Sequence, residues 1–487
     1  MISITRLFIT AAYRVTALSV VATGIACTSP SPPQTVPLKT TQALAAEIPG
    51  LMQQARIPGL SIAVIRRGEI AWVHNFGTVD TATRAPVTEH TQFSAASLSK
   101  PIFAYAVLQL VDEGKLDLDT PLVQYWPERI TDDPRQAKIT ARMALSHRAG
   151  FPDWRPDGGP LEIHFTPGER FSYSGEGYAY LQKTIEHLEH KPLSEIMAQR
   201  VFAPLGMQRS TFVSQLGPNV ANGYDAAGVA HPPYLSTGNA AYSLQTTAYD
   251  YALFVQAILN GHGLKPATLR AMETAQIAVD PSCTYCTQHA PKELSKTLFW
   301  GLGWGIEALP SGTYLWHWGD NDFYKAFVSV DLKRRNAVVY FSNSQNGLAI
   351  APVLIRDAIG ASQPALPWLG YDSYDSPGMH FMFDALRHGA EALNLHAAEL
   401  AAGAISEMSL DSTGALLLDQ KRYDDAIAVL AKNSELHAGS ADAWASLGKA
   451  YAQAGKRDQA FMSFEKALAL APHNKSVQLS LDRLRQP

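Results

Sequence analysis

Cysteine is scarce in this sequence, with 3 among 487 residues. Cys27 stands alone, whereas Cys283 and Cys286 are separated by two residues. In an oxidising compartment this spacing favours a local disulfide that closes a loop. A thioredoxin-like redox pair needs a strand-to-helix context, which Pro281 does not supply. A structural zinc site needs four ligands, and only His289 lies nearby.

Neither sign of charge is in large excess. The formal net charge is -4, the pI is near 6.4, and no long basic run occurs, so there is no electrostatic reason to expect a nucleic-acid partner. No glycine-rich phosphate loop or cluster of metal ligands stands out, and we expect neither a cofactor nor a metal. A hydrophobic content of 46% with 17% charged residues is typical of a globular protein. A chain of 487 residues predicts two or three domains.

The apolar stretch near the N-terminus is too short to span a bilayer. It covers the twelve residues 15–26, and Arg6 and Arg14 are the only charges that precede Cys27. This pattern is typical of an export signal. We therefore predict a signal peptide at residues 1–27 and a protein located in the periplasm or at the cell surface.

The end of this segment, Gly24-Ile25-Ala26-Cys27, resembles the lipobox of bacterial lipoproteins, although Gly24 replaces the usual large aliphatic residue. The resemblance implies that Cys27 is acylated and holds the protein at a membrane. Simple cleavage and an uncleaved anchor are the alternatives. Serine, threonine and proline are frequent in residues 28–40, which we interpret as an extended tether.

Ser97 and Lys100 stand three residues apart where a helical pattern of apolar residues begins. Both side chains would then lie on one face of the helix. A lysine held neutral by burial can take the proton of a nearby serine. This Ser-x-x-Lys arrangement occurs in penicillin-recognising serine hydrolases. A Ser-x-x-Lys pattern fixes only two of four residues and occurs by chance in most long proteins. Other segments must therefore show whether it marks a catalytic site.

Strand patterns lie on both sides of a long region of helices and loops. Because distant segments supply the strands, we predict one sheet that the two ends of the region complete. The predicted strands are residues 60–65, 70–73, 302–306, 313–317, 325–331 and 337–342, and a helix is predicted at 352–359.

Further motifs follow Ser97 and Lys100 in a fixed order. They are LSHRAGFP at 145–152, FTPGERFSYSGEGY at 165–178, PLGM at 204–207 and GLGWG at 301–305. Together they resemble class C β-lactamases and the related esterases and peptidases over residues 41–361. The resemblance implies an α/β (α+β) fold, in which helices flank a β-lactamase-like antiparallel sheet and a helical region is inserted. Ser97 would lie in the cleft between the sheet and that region.

The resemblance also implies catalytic roles. Ser97 would form an acyl-enzyme, and Tyr173 would act as its base or relay a proton to the leaving group. The resemblance is compatible with either Lys100 or Tyr173 taking the proton of Ser97.

The segment His317-Trp318-Gly319-Asp320 resembles the strand that lines the family's site opposite the serine. His317 would take the basic position of this strand, and Gly319 leaves room for a ligand. The backbone N–H groups of Asp320 and Ser97 would form the oxyanion hole.

Two departures from the family pattern affect the substrate. Gly175 stands where β-lactamases carry an asparagine, and Trp318 stands where a threonine is usual. Both replacements remove polar contacts to a penicillin or a D-Ala-D-Ala peptide, and His317 is largely neutral near pH 7. We therefore expect small-molecule carboxylic esters first, D-amino-acid peptides or amides second and β-lactams third. A non-catalytic protein that binds cell-wall fragments is the alternative from another class.

The C-terminal part of the chain repeats with a period of 34 residues. Gly414 and Gly448 are related by this period, and so are Ala426 and Ala460. The spacing and residue types match the tetratricopeptide pattern and predict an all-α module at residues 401–487 that binds a protein or peptide. We interpret residues 362–400, in which proline, glycine and serine are frequent at the start, as a linker and a helix.

Overall fold

The computed structural model describes residues 37–155, 159–213, 219–233, 235–280, 295–360, 363–472 and 474–485. The predicted signal peptide with Cys27, most of the tether, and the Cys283 and Cys286 pair lie outside the described residues and stay predictions. Within the described ranges, the helices are too short or too polar to cross a membrane.

Strands and helices of the described residues are numbered in chain order. The strands β1 to β13 are Gly59–Arg66, Glu69–Asp80, Ala85–Pro86, Phe93–Ser94, Gly223–Tyr224, Ala230–His231, Gln245–Thr246, Ile277–Ala278, Leu298–Trp300, Gly305–Leu309, Gly312–Asn321, Tyr324–Asp331 and Asn336–Ser342. The helices α1 to α18 are Thr41–Gln54, Ser99–Asp112, Ala141–Leu145, Gly175–Glu189, Leu193–Met197, Ala203–Leu205, Ala248–Leu259, Pro266–Met272, Ala351–Ile359, Ala365–Leu369, Pro377–His388, Ala392–Leu395, Ala397–Ala401, Glu407–Asp419, Tyr423–Leu436, Ala441–Gln453, Arg457–Leu470 and Lys475–Arg485.

The main sheet has nine strands in the order β3-β2-β1-β13-β12-β11-β10-β9-β8. Every pair of neighbours is antiparallel. The first strand pairs with the last, so that Ile62 lies opposite Tyr340. This pairing confirms the prediction of one antiparallel sheet completed by distant segments.

Helices cover both faces of this sheet. Ala63 and Ile65 of β1 belong to the core shared with α2 and α7, whereas Ile62 and Val64 belong to the core shared with α1 and α9. Because side chains alternate between faces along a strand, both sets are buried and the strand has an uninterrupted apolar sequence.

Three predicted strands differ in their bounds by three or more residues from the observed ones. The strand predicted at 70–73 continues to Asp80, because it pairs with β1 as far as Gly77 and then with β3. The strand predicted at 302–306 instead begins at Gly305, because the preceding residues form a bend in which Gly303 has a φ of +89°. Strand β11 continues past His317 to Asn321, because its pairing with β12 extends to Asn321, which lies opposite Tyr324. Residues 318–321, which lie beyond the strand predicted at 313–317, are therefore part of the sheet.

The segment predicted as a linker and helix packs against the sheet and then joins the C-terminal helices. In α10, Ala365 is fully buried, and the Nε1 of the neighbouring Trp368 donates a hydrogen bond of 2.7 Å to the Asp280 carbonyl. Phe381 of α11 lies in the core of the C-terminal helices. The described residues from 363 onward therefore connect the two cores.

The C-terminal helices form two antiparallel hairpins with equivalent contacts. A Cβ added at Gly414 of α14 would lie 2.4 Å from Leu430 Cγ of α15, and one at Gly448 of α16 would lie 2.7 Å from Phe464 Cδ1 of α17. The two contacts are related by the 34-residue period, so the small residues let the paired helices approach closely. The helical repeat region predicted from this period is confirmed.

Candidate active site

Ser97 lies in a short turn of 3₁₀ helix, residues 96–98, between β4 and α2. The preceding Ala96 has a φ of +48°, a left-handed conformation that disfavours residues with a Cβ. Ser99 Oγ stabilises this conformation by donating a 2.6 Å hydrogen bond to the Ala96 carbonyl, and Ala95 N donates to the Leu244 carbonyl at 2.8 Å. The turn therefore holds Ser97 in place with its side chain partly exposed.

Lys100 is buried in the first turn of α2, and its Nζ lies 3.1 Å from Ser97 Oγ and 2.9 Å from the Ala241 carbonyl. Burial lowers the pKa of Lys100 to about 7, while the charge of Asp153 opposes this shift. A neutral amine is thus available beside Ser97 near neutral pH. This arrangement allows Lys100 to accept the serine proton.

Tyr173 lies just before α4, with its ring centroid 4.7 Å from Lys100 Nζ and 4.7 Å from the Trp318 ring. Ser97, Lys100 and Tyr173 line one cavity of about 290 Å³. The structure therefore brings together the three residues that the family resemblance assigned to catalysis.

His147 positions the backbone on both sides of Tyr173. Its Nδ1 accepts a 3.0 Å hydrogen bond from Ser174 N, and its carbonyl accepts a 2.9 Å hydrogen bond from Ser172 N. The imidazole also lies 4.2 Å from the Tyr173 ring. Burial, then the charge of Lys100, lowers the pKa of His147 well below its usual value, so the ring is neutral. The LSHRAGFP motif alone does not reveal this role, because the hydrogen-bond partners of His147 are backbone groups of a later segment.

His317 is fully buried behind Tyr173, with the two ring centroids 6.2 Å apart. Its Nδ1 donates a 2.7 Å hydrogen bond to the Trp318 carbonyl. Burial, assisted by the charge of Lys100, lowers the pKa of His317 to about 3. His317 therefore contributes no positive charge at neutral pH, and the neighbouring Trp318 supplies the cavity wall.

Gly319 allows β11 to pass close to the turn that holds Ser97. A Cβ at this position would lie 2.5 Å from the Ala95 carbonyl oxygen. The predicted oxyanion donors, the N–H groups of Ser97 and Asp320, belong to these two adjoining segments. Lys325 Nζ and the Tyr371 hydroxyl both donate hydrogen bonds to the Asp320 carboxylate, which fixes the end of β11.

Trp154 fills the space beside Gly175. A Cβ at Gly175 would lie 2.4 Å from Cζ2 of the Trp154 indole, and Gly175 N donates a 2.8 Å hydrogen bond to Asp153 Oδ1. Asp153 and Trp154 both line the cavity. Neither was predicted from the sequence, because they contact Gly175 from more than twenty positions earlier in the chain and carry no motif of their own.

The cavity is rich in carboxylates. Asp153, Asp320 and Asp322 line it, and Lys100 is the one basic residue among its described lining residues. Partial burial raises the pKa of Asp153, an effect that the charge of Lys100 opposes. The cavity therefore offers little attraction to a substrate carboxylate.

Comparison with known proteins agrees with this geometry. Residues 44–361 match the family model described as beta-lactamase, and residues 441–474 match the tetratricopeptide repeat model. Esterase EstB of Burkholderia gladioli is 30% identical over 206 residues, which cover 35% of this chain and 52% of the esterase. A D-aminopeptidase of Brucella anthropi is 30% identical over 195 residues, which cover 36% of each chain. The chain thus spans about half or less of the length of these two relatives.

A solved structure with a similar fold is that of an octameric penicillin-binding protein homologue from Pyrococcus abyssi. The TM-score is 0.55 and the identity 23%, over 72% of this chain and 82% of the other. At this identity the similarity describes the fold alone.

Proposed function

The chain belongs to the beta-lactamase family and is a serine hydrolase, and we propose that it hydrolyses carboxylic esters through an acyl-enzyme on Ser97. The observation that carries this proposal is the position of the Lys100 amine, 3.1 Å from Ser97 Oγ in a cavity. Its pKa of about 7 gives a large neutral fraction at physiological pH.

The proposed reaction begins when Ser97 Oγ attacks the ester carbonyl carbon and gives its proton to Lys100 or Tyr173. The N–H groups of Ser97 and Asp320 stabilise the oxyanion of the tetrahedral intermediate. When the intermediate collapses, the C–O bond to the alcohol breaks and the alcohol takes up the proton. Water then attacks the acyl-enzyme, which releases the carboxylic acid and restores the Ser97 hydroxyl.

Esters are the favoured substrates because of the groups opposite Ser97. Trp154 and Trp318 present indole rings to the cavity, and His317 is neutral. The carboxylate of a penicillin or of a D-Ala-D-Ala peptide would meet carboxylates here, and Lys100, the one basic residue among the described lining residues, is uncharged when it acts as the base. A neutral ester with an apolar acyl group avoids this repulsion.

D-amino-acid peptides are a second candidate class. The carboxylates of the cavity, of which Asp320 is already paired with Lys325, would attract the ammonium group of a peptide with a free N-terminus. The similarity to a D-aminopeptidase supports this alternative. It differs from carboxypeptidase activity, in which the substrate presents a carboxylate.

A parallel substrate panel tests the proposal. We expect turnover of p-nitrophenyl butyrate to exceed that of D-alanine p-nitroanilide, nitrocefin and a D-Ala-D-Ala peptide. A phosphonate serine probe should label the wild type and leave Ser97→Ala unlabelled. Equal labelling of both proteins would refute the nucleophile, and turnover of none of the substrates would favour a protein that only binds cell-wall fragments.

We also propose that the protein is exported and anchored through acylated Cys27, as the N-terminal sequence indicates. Palmitate labelling in a bacterial host should be present in the wild type and absent in Cys27→Ala. A Cys27→Ala protein that is still labelled would contradict the anchor.

The C-terminal repeats support a further proposal, that residues 401–487 bind a protein or peptide partner. Affinity capture with the full chain and with a variant whose exposed repeat residues are changed tests this proposal. Identical partners for both proteins would exclude binding through the repeat surface.

A further inference from the structure

A second cavity of about 250 Å³ adjoins the active-site cavity, and Asp320 and Asp322 line both. Lys325 of β12 contributes to its wall on the side of the sheet. Met408 and Ser412 of α14 contribute to the wall on the side of the C-terminal helices. The hydrolase domain and the helical module therefore build this cavity together.

Close contacts fix the helical wall of the second cavity. A Cβ at Gly370 would lie 2.7 Å from Met408 Cε, and one at Gly378 would lie 2.6 Å from Ser409 Oγ. Gly370 directly precedes Tyr371, whose hydroxyl donates to the Asp320 carboxylate. Helix α14 thus packs tightly against the segment that reaches the end of β11.

Asn346 lines this cavity and carries a buried hydrogen-bond donor that the described residues leave unused. The residue is 5% exposed and lines the cavity, and its side-chain Nδ2 has no hydrogen-bond partner among the described residues. A buried amide without a partner is unfavourable, and the acceptor of a ligand would satisfy it. Asp372 and Ser412 line the same space and supply acceptors for a ligand's N–H groups.

The apolar part of the second cavity's lining favours a ligand that carries apolar groups as well as polar ones. Met379, Met382 and Met408 contribute flexible thioether side chains, which adapt to apolar groups of varied shape. A simple aliphatic chain would leave Asn346 unsatisfied, and a sugar would leave the methionines without apolar contacts. A peptide carries both amide groups and side chains that match this lining.

We propose that the second cavity is a subsite for a peptide extension of the substrate, completed by helix α14. The inference rests on the proposed function, because the extension joins an ester or amide bond cleaved at Ser97. The Asn346 amide donates to a carbonyl oxygen of the peptide, and the methionines contact its side chains. The C-terminal module thereby contributes to substrate selection.

Kinetics with matched substrates test the subsite. The panel contains p-nitrophenyl butyrate, the p-nitrophenyl ester of acetyl-Ala-Gly-D-Ala, and the butyryl ester of the serine hydroxyl in acetyl-Ser-Gly-Ala-amide. We expect kcat/KM for at least one extended ester to exceed that for p-nitrophenyl butyrate by about tenfold. Ser412→Trp, which fills the cavity from an exposed position, should lower this ratio about tenfold. Ala415→Trp, exposed on the same helix outside the cavity lining, should leave it unchanged.

Peptide binding provides a readout that does not require catalysis. Acetyl-Ser-Gly-Ala-amide should bind Ser97→Ala in titration calorimetry, lose about tenfold in affinity with Ser412→Trp added, and keep its affinity with Ala415→Trp added. Asn346→Ala should weaken the same binding. Equal binding and equal substrate ratios in both tryptophan variants would overturn the subsite. Binding that depends on residue 412 in a protein that hydrolyses no panel substrate would instead overturn the proposed function alone.

Discussion

The two walls of the candidate active site differ in how they relate to the family's motifs. The nucleophile wall consists of Ser97, Lys100 and Tyr173 and retains the motif residues. In the substrate wall, which consists of Asp153, Trp154, Gly175 and Trp318, a glycine and a tryptophan replace two polar motif residues. The reaction and the choice of substrate therefore depend on separate segments. Changes to the first wall should affect all substrates alike, and changes to the second should alter their ratios.

The largest effect is expected from Ser97→Ala, which removes the nucleophile. The kcat/KM for p-nitrophenyl butyrate should fall by at least about 10³-fold, as in other serine hydrolases that lose this group. Every substrate of the panel should be affected, while the melting temperature measured by circular dichroism stays close to that of the wild type. A loss confined to one substrate would show that Ser97 belongs to the substrate wall.

The next effect concerns pH. If Lys100 is the base, kcat/KM should rise about tenfold per pH unit below 7 and become constant above it, because only the neutral amine accepts the serine proton and its pKa is about 7. A stopped-flow profile from pH 5 to 9 with a neutral ester measures this dependence. A profile without an inflection near pH 7 would favour Tyr173 as the base.

His147→Phe should affect the chemical step through Tyr173, a residue of the nucleophile wall. The substitution removes the acceptor for Ser174 N but keeps an aromatic ring against Tyr173. We expect kcat to fall about ten- to a hundredfold with little change in KM, because misplacement of Tyr173 affects the chemical step. His147→Asn, whose amide oxygen can accept the same hydrogen bond, should restore part of kcat. A change in KM alone would show that His147 affects substrate binding and not the chemical step.

The smallest effect is expected from a change to the substrate wall. Trp154→Ala combined with Gly175→Asn removes the indole and supplies the amide that β-lactamases carry. The ratio of nitrocefin to p-nitrophenyl butyrate turnover should rise about two- to tenfold, the value of one hydrogen bond. Trp154→Ala alone is the control that separates loss of the indole from gain of the amide, and its ratio should rise less than that of the double variant. A ratio that the double variant does not change would mean that this wall does not select the substrate.

The nucleophile wall and the repeats could be predicted because their signals are local or periodic. Ser97 and Lys100 are neighbours on one helix, and the period of 34 residues relates Gly414 to Gly448. The sheet could be predicted because β1, β12 and β13 are nearly continuous apolar runs bounded by turns.

The remaining features depend on contacts between distant parts of the chain. Lys100 donates to the Ala241 carbonyl, 141 positions away, and its burial determines its pKa. Asp153 and Trp154 belong to the site only because the fold brings them into contact with Gly175. The placement of α14 next to the end of β11 likewise follows from side-chain packing, which no repeat pattern encodes.

The pairing of β1 with β13 has a consequence for the order of folding. Leu60 cannot pair with Ser342 until the ribosome has made nearly the whole hydrolase domain, and closing so long a loop makes folding slow. The turn that holds Ser97 packs against Gly319, which is also made late. A nascent chain that lacks these strands therefore cannot place Ser97 in its catalytic position, and activity begins only when the domain is complete.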